Sequence, residues 1–167
     1  KEIEIPLAYV LSSMEKEGFR VDTNGINEYS NHLTSVAEAC KERIYMLAGE
    51  EFNINSTQQL GKILFEKLRI GRGVKKSKES KNYKTTAEEL EKYADQSEIV
   101  RQLLRYRKAQ KIQSTYIEGF KPLIQNGKVH TTYNQSNTAT GRLSSANPNL
   151  QNIPIRTDEG RELRKLF

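Results

Sequence analysis

Apolar residues recur at helical spacing along most of the chain before residue 122. Leu7, Val10, Leu11 and Met14 fall at helical spacing, which predicts a helix over 3–16 that Gly18 closes. Val21-Asp22-Thr23-Asn24 reads as a short extended link with a capping residue. Ile26, Tyr29, Leu33, Val36, Cys40, Ile44 and Leu47 then mark an amphipathic helix over 25–48 with a heptad-like seam, ended by Gly49. This stripe reads as a packing seam. Cys40, lying on it, reads as a small buried hydrophobe.

The same grammar continues. Ser56 with Gln59 has the form of a capping box, in which the hydroxyl takes one free backbone N–H and the amide reaches back to another. It precedes Leu60, Ile63, Leu64 and Leu68. Thr86 with Glu89 repeats the pattern before Leu90 and Tyr93, and a longer helix is expected over 97–118 on Ile99, Val100, Leu103, Tyr106 and Ile117. Near residue 122 the chain changes character. Asn126-Gly127 signals a tight turn, and the alternation of Val129, Thr131 and Tyr133 with His130 and Thr132 predicts a strand. Thr157, with Asp158 and Glu159, starts a last helix whose apolar positions (Leu163, Leu166, Phe167) arrive as the sequence stops, so the chain reads as truncated. There are no internal repeats. The expected fold is mainly α, with a small extended segment after a boundary near 122.

Charge adds a partner class. Lys and Arg total 27 against 21 Asp and Glu in 167 residues, a net charge of +6, which favours polyanions. The basic residues cluster. Between Ile70 and Lys84 lie Gly71, Gly73, Arg72, Lys75, Lys76, Lys78, Lys81 and Lys84, with Glu79 the one acid. Such a segment is either a solvated linker or an arm lying along phosphates. Arg101, Arg105 and Lys108 share a helical spacing, as do Arg107 and Lys111, and such rows can track a phosphate backbone. A single cysteine cannot form an internal disulfide, which fits a reducing compartment. No apolar run approaches the ~18 residues of a membrane span, and no signal peptide opens the chain. A cytoplasmic protein with no membrane partner is expected.

The usual catalytic groupings are not visible. There is no P-loop, dinucleotide fingerprint, HExxH or nucleophile elbow. His32 and His130 stand far apart without acidic or thiol neighbours at ligand spacing, and no aspartate pair sits on a strand to hold metal ions. The distinctive stretch is Thr138–Arg156, TATGRLSSANPNLQNIPIR. Arg142, Asn147, Asn149, Gln151 and Asn152 can read base edges and sugars. Gly141 allows close backbone approach, and Pro148 and Pro154 stiffen the path. Asn and Gln suit the minor groove, where every base pair presents acceptors at similar places. An ordinary polar loop stapled by its own side chains is the equal alternative on composition.

TATGRLSS, PNLQNIP, Arg156 and EGRELRKLF resemble the signature that enters the palm of family A DNA polymerases, the bacterial DNA polymerase I type. AGEEFNINSTQQLGKILFEKL, LLRYRKAQKIQSTY and the turn NGKVHTTYNQ are similar to that family's thumb, and IPLAYVLSSMEKEGFRVD to the segment after its exonuclease-like domain. The resemblance runs over essentially the whole chain. It implies a helical thumb of long antiparallel helices over 1–121, with a basic tip at about 70–86, and the N-terminal part of an α+β palm over 122–167. It also implies DNA-binding roles for Arg107, Lys111, Arg142, Asn149, Gln151 and Asn152, with Lys75, Lys76 and Lys78 at the basic tip, and places Arg156 near the incoming nucleotide. Ser144 and Ser145 match the motif without a defined duty. Neither of the family's catalytic aspartates nor its fingers helix falls within this sequence. The stretch therefore implies no cofactor of its own, whereas the complete enzyme implies two Mg2+ ions. The implied partners are primer–template duplex DNA and the remaining palm and fingers, in a bacterial-type, nucleoid-associated setting. Two readings stand against this one: an independent basic nucleic-acid-binding module, and a helical scaffold that binds protein through its seam.

Overall fold

The seam predicted over 25–48 emerges as a single helix. In the computed structural model, which describes residues 2–71, 73–77 and 81–167, helix α2 spans Thr23–Ala48. It starts where Asp22 Oδ1 accepts the Gly25 N–H at 2.9 Å, so Asp22 is the capping residue. Its buried line is Ile26, Ser30, Leu33, Ala37, Cys40, Ile44 and Ala48. Tyr29, Val36 and Leu47, expected on the stripe, flank that line half-buried. Before α2 come helix α1 (Glu4–Glu17) and the two-residue strand β1 (Phe19–Arg20). Gly18 ends α1 at φ +69°, donating to the Met14 carbonyl at 2.9 Å. Of the four apolar positions expected on α1, only Leu11 is buried; Val10 and Met14 are exposed.

Helix α3 (Thr57–Gly61) runs on as a π-helical turn over Lys62–Lys67. Ser56 caps it, with Oγ 3.4 Å from the Gln59 nitrogen. The return bond departs from the expected capping box: Gln59 Oε1 accepts from the Asn53 N–H at 2.8 Å rather than from Ser56. Thr86 caps helix α4 (Ala87–Glu91), its Oγ1 3.4 Å from the Glu89 nitrogen, while the Glu89 carboxylate pairs with Lys92 at 2.7 Å. Helix α5 (Glu98–Ile112) also passes into a π-helical segment, Gln113–Glu118. Near the end of α2, Arg43 forks onto both oxygens of Glu98 at 2.6 and 3.1 Å, at the start of α5. Near the start of α2, the Ser30 hydroxyl accepts from Gln113 Nε2 at 2.9 Å, just past α5.

A 3-10 turn at Lys121–Leu123 precedes strands β2 (Ile124–Gln125) and β3 (Lys128–Val129). Asn126 and Gly127 join them, both at positive φ, as a two-residue hairpin turn of type I′ demands. β3 also pairs with β1, Phe19 opposite Val129, giving the antiparallel order β1-β3-β2. The strand expected across Val129–Tyr133 is interrupted. β4 (Thr132–Asn134) leaves this sheet and pairs with β5 (Ser144–Ala146). A 3-10 turn (Leu150–Asn152) and helix α6 (Asp158–Arg164), capped by Thr157, complete the chain. The fold is mainly α, with short antiparallel strands.

Contacts gather the chain into two units. The first holds 1–32 and 111–167, and the second 33–110. The first has Leu11, Val21, Ile26, Tyr116, Ile117, Phe120, Val129 and Leu163 buried. Tyr29 donates to the Glu159 carbonyl at 2.8 Å; burial and the carboxylates of Glu159 and Glu162 push its hydroxyl pKa up to about 12, which keeps it a donor. The second has Leu60, Leu64, Leu90, Val100 and Leu103 buried. Cys40 is buried there too, with its thiol pKa pushed up by burial. The unit limits follow a different line from the expected segments 1–121 and 122–167. Among the described residues no helix is long and apolar enough to cross a membrane.

Candidate nucleic-acid interface

In the first unit, the Thr138–Arg156 stretch is built on the β4–β5 hairpin. Asn134 faces Ser144, Tyr133 faces Ser145 and Thr132 faces Ala146, which leaves residues 135–143 as the connecting loop. Gly141 sits in that loop at φ +70°, a conformation other residues rarely adopt, and donates to the Thr138 carbonyl at 3.2 Å. The Thr138 hydroxyl donates to the Arg142 carbonyl at 2.6 Å. These two bonds fold the loop back on itself and fix the backbone of Arg142. Its side chain is exposed and makes no hydrogen bond or ion pair among the described residues.

The turn after β5 is stapled in the same manner. Asn149 Oδ1 accepts from the Gln151 N–H at 3.0 Å and from the Ser145 hydroxyl at 3.2 Å, so Asn149 caps the 3-10 turn. Gln151 Nε2 donates to the Leu143 carbonyl at 3.2 Å, which ties the turn to the residue beside Arg142. The Asn152 carbonyl accepts from the Tyr116 hydroxyl at 2.5 Å. The Thr131 hydroxyl lies 2.7 Å from the Pro148 carbonyl and 3.1 Å from that of Ala146. The Asn147-Pro148 peptide bond is cis. Arg142, Asn149, Gln151 and Asn152 are all exposed and gathered on one hairpin and its adjoining turn, as is Arg156 further on. Thus the stretch is at once a stapled loop and a polar surface. Beside it lies a cleft of about 310 Å³ lined by Phe19, Tyr133, Ser145, Leu150, Ile153 and Phe167, among others.

In the second unit, Arg107 is half-buried and donates through Nη1 to the Thr85 carbonyl. Burial pulls its guanidinium pKa below the ordinary value, yet an arginine stays charged at neutral pH. The basic tip carries Lys75 and Lys76, both exposed. Lys76 pairs with Glu66 at 2.9 Å and stands 5.2 Å over the Tyr83 ring; the Glu66 carboxylate raises its pKa. Lys75, Lys76 and Lys84 share a cleft of about 430 Å³ with Ser77, Glu89 and Tyr93. Lys78, expected at the same tip, lies outside the described residues, as do Arg72 and Glu79. Lys111, in the first unit, is exposed.

Two roles went unread in the sequence, those of Thr138 and Tyr116, whose hydroxyls hold backbone carbonyls of the loop and turn. Their pairings are to main-chain atoms or to residues distant in sequence, and no motif spacing signals them. Among the described residues, no three His, Cys, Asp or Glu gather where a metal ion could be held.

Comparison with known proteins gives a consistent picture. The family model for DNA polymerase family A matches residues 23–167. DNA polymerase I of Geobacillus stearothermophilus is 51% identical over 168 residues, covering 99% of this chain and 19% of that protein. DNA polymerase I of Bacillus subtilis (strain 168) is 48% identical over 169 residues, covering 100% of this chain and 19% of that protein. The chain thus spans about a fifth of the length of these relatives. Among solved structures, the POL domain of Pol1 from M. smegmatis, in complex with DNA primer-template and dNTP, superposes with a TM-score of 0.83 at 34% identity, over 98% of this chain and 29% of that one.

Proposed function

The chain belongs to DNA polymerase family A, and from that premise we propose that it is the part of a DNA-directed DNA polymerase that grips the primer–template duplex during replication or repair. The observation that carries this reading is the β4–β5 hairpin with its adjoining turn. It gathers Arg142, Asn149, Gln151 and Asn152 on one exposed surface whose backbone is pinned from behind. A rigid loop bearing donors suits the minor groove, whose acceptors lie at similar positions in every base pair. Such a surface holds a duplex without regard to its sequence. Lys111 and Arg107 serve the phosphates, with Lys75, Lys76 and Lys78 at the tip adding the long-range attraction that brings DNA in. Arg156 lies toward the incoming nucleotide.

On this reading residues 1–121 form the thumb, with its basic tip at about 70–86, and 122–167 the start of the palm. The fingers, the rest of the palm and the catalytic aspartates lie in the remainder of the polymerase. The two Mg2+ ions of the complete enzyme do not fit the residues present, since the described ones gather no carboxylate cluster, so the remainder must supply their ligands. What this chain contributes is position: it fixes the duplex so that a primer terminus meets the reaction centre in a constant orientation. A cytoplasmic, nucleoid-associated setting accompanies the reading.

The test is primer extension. The isolated chain should incorporate no labelled nucleotide. In the polymerase that contains it, Arg142→Ala should slow extension. Incorporation by the isolated chain, or unchanged extension by the Arg142 variant, would refute the assignment.

A further inference from the structure

We propose that Ser145 is a positioning residue, holding the Asn149 carboxamide so that its NH2 group alone faces outward and Asn149 meets the duplex purely as a donor. This rests on the duplex-gripping function proposed above and deepens it. Ser145 is 4% exposed, lies on β5 opposite Tyr133, and had no duty assigned by its place in the motif. Among the described residues its side chain makes one hydrogen bond, to Asn149.

The geometry decides the orientation of the amide. The Gln151 main-chain N–H, 3.0 Å from Asn149 Oδ1, can only donate, so the atom facing it must be the carbonyl oxygen. The Ser145 oxygen lies 3.2 Å from the same atom, and its proton must point there. Two donors converge on one oxygen, and the NH2 group is left as the part of Asn149 available to a ligand. Purine N3 and pyrimidine O2 are acceptors in the minor groove of every base pair, and only guanine adds a donor. A donor-only amide is compatible with all four pairs, whereas a reversed amide would set acceptor against acceptor. The main-chain bond alone selects the oxygen but leaves the amide some swing about its last torsion, which is broad for Asn. The buried hydroxyl closes that freedom. Serine is thus required for its proton rather than for its size, and it borders the cleft of about 310 Å³ described above.

The experiment measures fluorescence anisotropy of the chain with a natural primer–template duplex and with one whose purines are replaced by 3-deazapurines, which lack the N3 acceptor. The wild-type chain should bind the substituted duplex about three- to tenfold more weakly, the loss of one good hydrogen bond. Ser145→Ala should bind natural duplex more weakly and lose most of that discrimination, while Ser145→Thr should restore both. Equal discrimination in wild type and Ser145→Ala, or none in wild type, would overturn the positioning role alone. No binding of natural duplex at low salt would remove the duplex function, and this role with it. Should Ser145→Ala fail to fold by circular dichroism, NMR of the wild-type chain decides. A through-hydrogen-bond coupling from the Gln151 nitrogen to the Asn149 carboxamide carbon is expected, as is a shift of the Asn149 NH2 protons on adding duplex. Absence of either overturns the proposal.

Discussion

Tyr116→Phe isolates a single hydrogen bond that fastens the turn bearing Gln151 and Asn152 to the helical part of the first unit. The ring is buried and meets Phe120 edge-on, with centroids 6.0 Å apart, so the substitution keeps the packing and removes one oxygen. That oxygen donates to the Asn152 carbonyl at 2.5 Å. A buried carbonyl deprived of its partner costs about 1–3 kcal/mol, but Asn152 is exposed and water can approach it, which places the loss near the lower end, about 1 kcal/mol. In a chain of this size that is a fall in Tm of about 2–4 °C. Tyr116→Ala, which also removes the ring, should cost about 3–5 kcal/mol. Thermal melting followed by circular dichroism measures both. Because the bond holds the turn bearing Gln151 and Asn152, Tyr116→Phe should also weaken duplex binding while leaving binding to single strands nearly unchanged. A Tyr116→Phe chain that melts and binds like wild type would show that the turn is held by its local staples alone, and would refute this reasoning.

Further substitutions separate grip from scaffold. Lys111→Ala should lower the salt dependence of duplex binding by about one phosphate contact and leave the melting temperature unchanged, whereas Arg107→Ala should lower both, since its guanidinium also holds the Thr85 carbonyl; salt-series binding and melting distinguish them. Gly160→Ala should destabilise the chain by about 1–3 kcal/mol in urea titrations, because an added Cβ would stand 2.6 Å from the Pro154 carbonyl oxygen and Cβ. Arg43 holds the Glu98 carboxyl below its ordinary 4.5, so the pair stabilises the fold above that pH and the stabilisation fades as pH falls through the lowered value. Arg43→Gln should therefore flatten the loss of stability as pH falls from above 4.5 through the lowered value, as read by urea titrations over a pH series.

Much of the scaffold was legible because it rests on local rules. Ser56, Thr86 and Thr157 cap the helices they precede, and Asn126-Gly127 makes the tight hairpin, since each needs only residues within three or four positions. The seam of α2 was legible in its large members. It was misplaced by part of a turn because Ser30, Ala37 and Ala48, which lie at its centre, look unremarkable in a search for bulky apolar side chains. β1 and β5 were not legible: strands of two and three residues carry no periodicity, and their partners lie far along the chain. The polar stretch from Thr138 to Arg156 was recognisable as special, but its composition left open whether its amides serve the loop or a ligand. The structure gives Asn149 Oδ1 and Gln151 Nε2 to the loop and leaves Arg142 outward. That division depends on which backbone groups the fold brings within reach, and no spacing of residues encodes it.

The most direct test of duplex grip is fluorescence anisotropy of the isolated chain with a labelled primer–template duplex and its matching single strand across a salt series. Tighter binding to duplex than to single strand is expected, indifferent to base sequence and falling steeply with salt, roughly 10³-fold between about 50 and about 200 mM for about six phosphate contacts. Binding insensitive to salt, or no preference for the duplex, would contradict it.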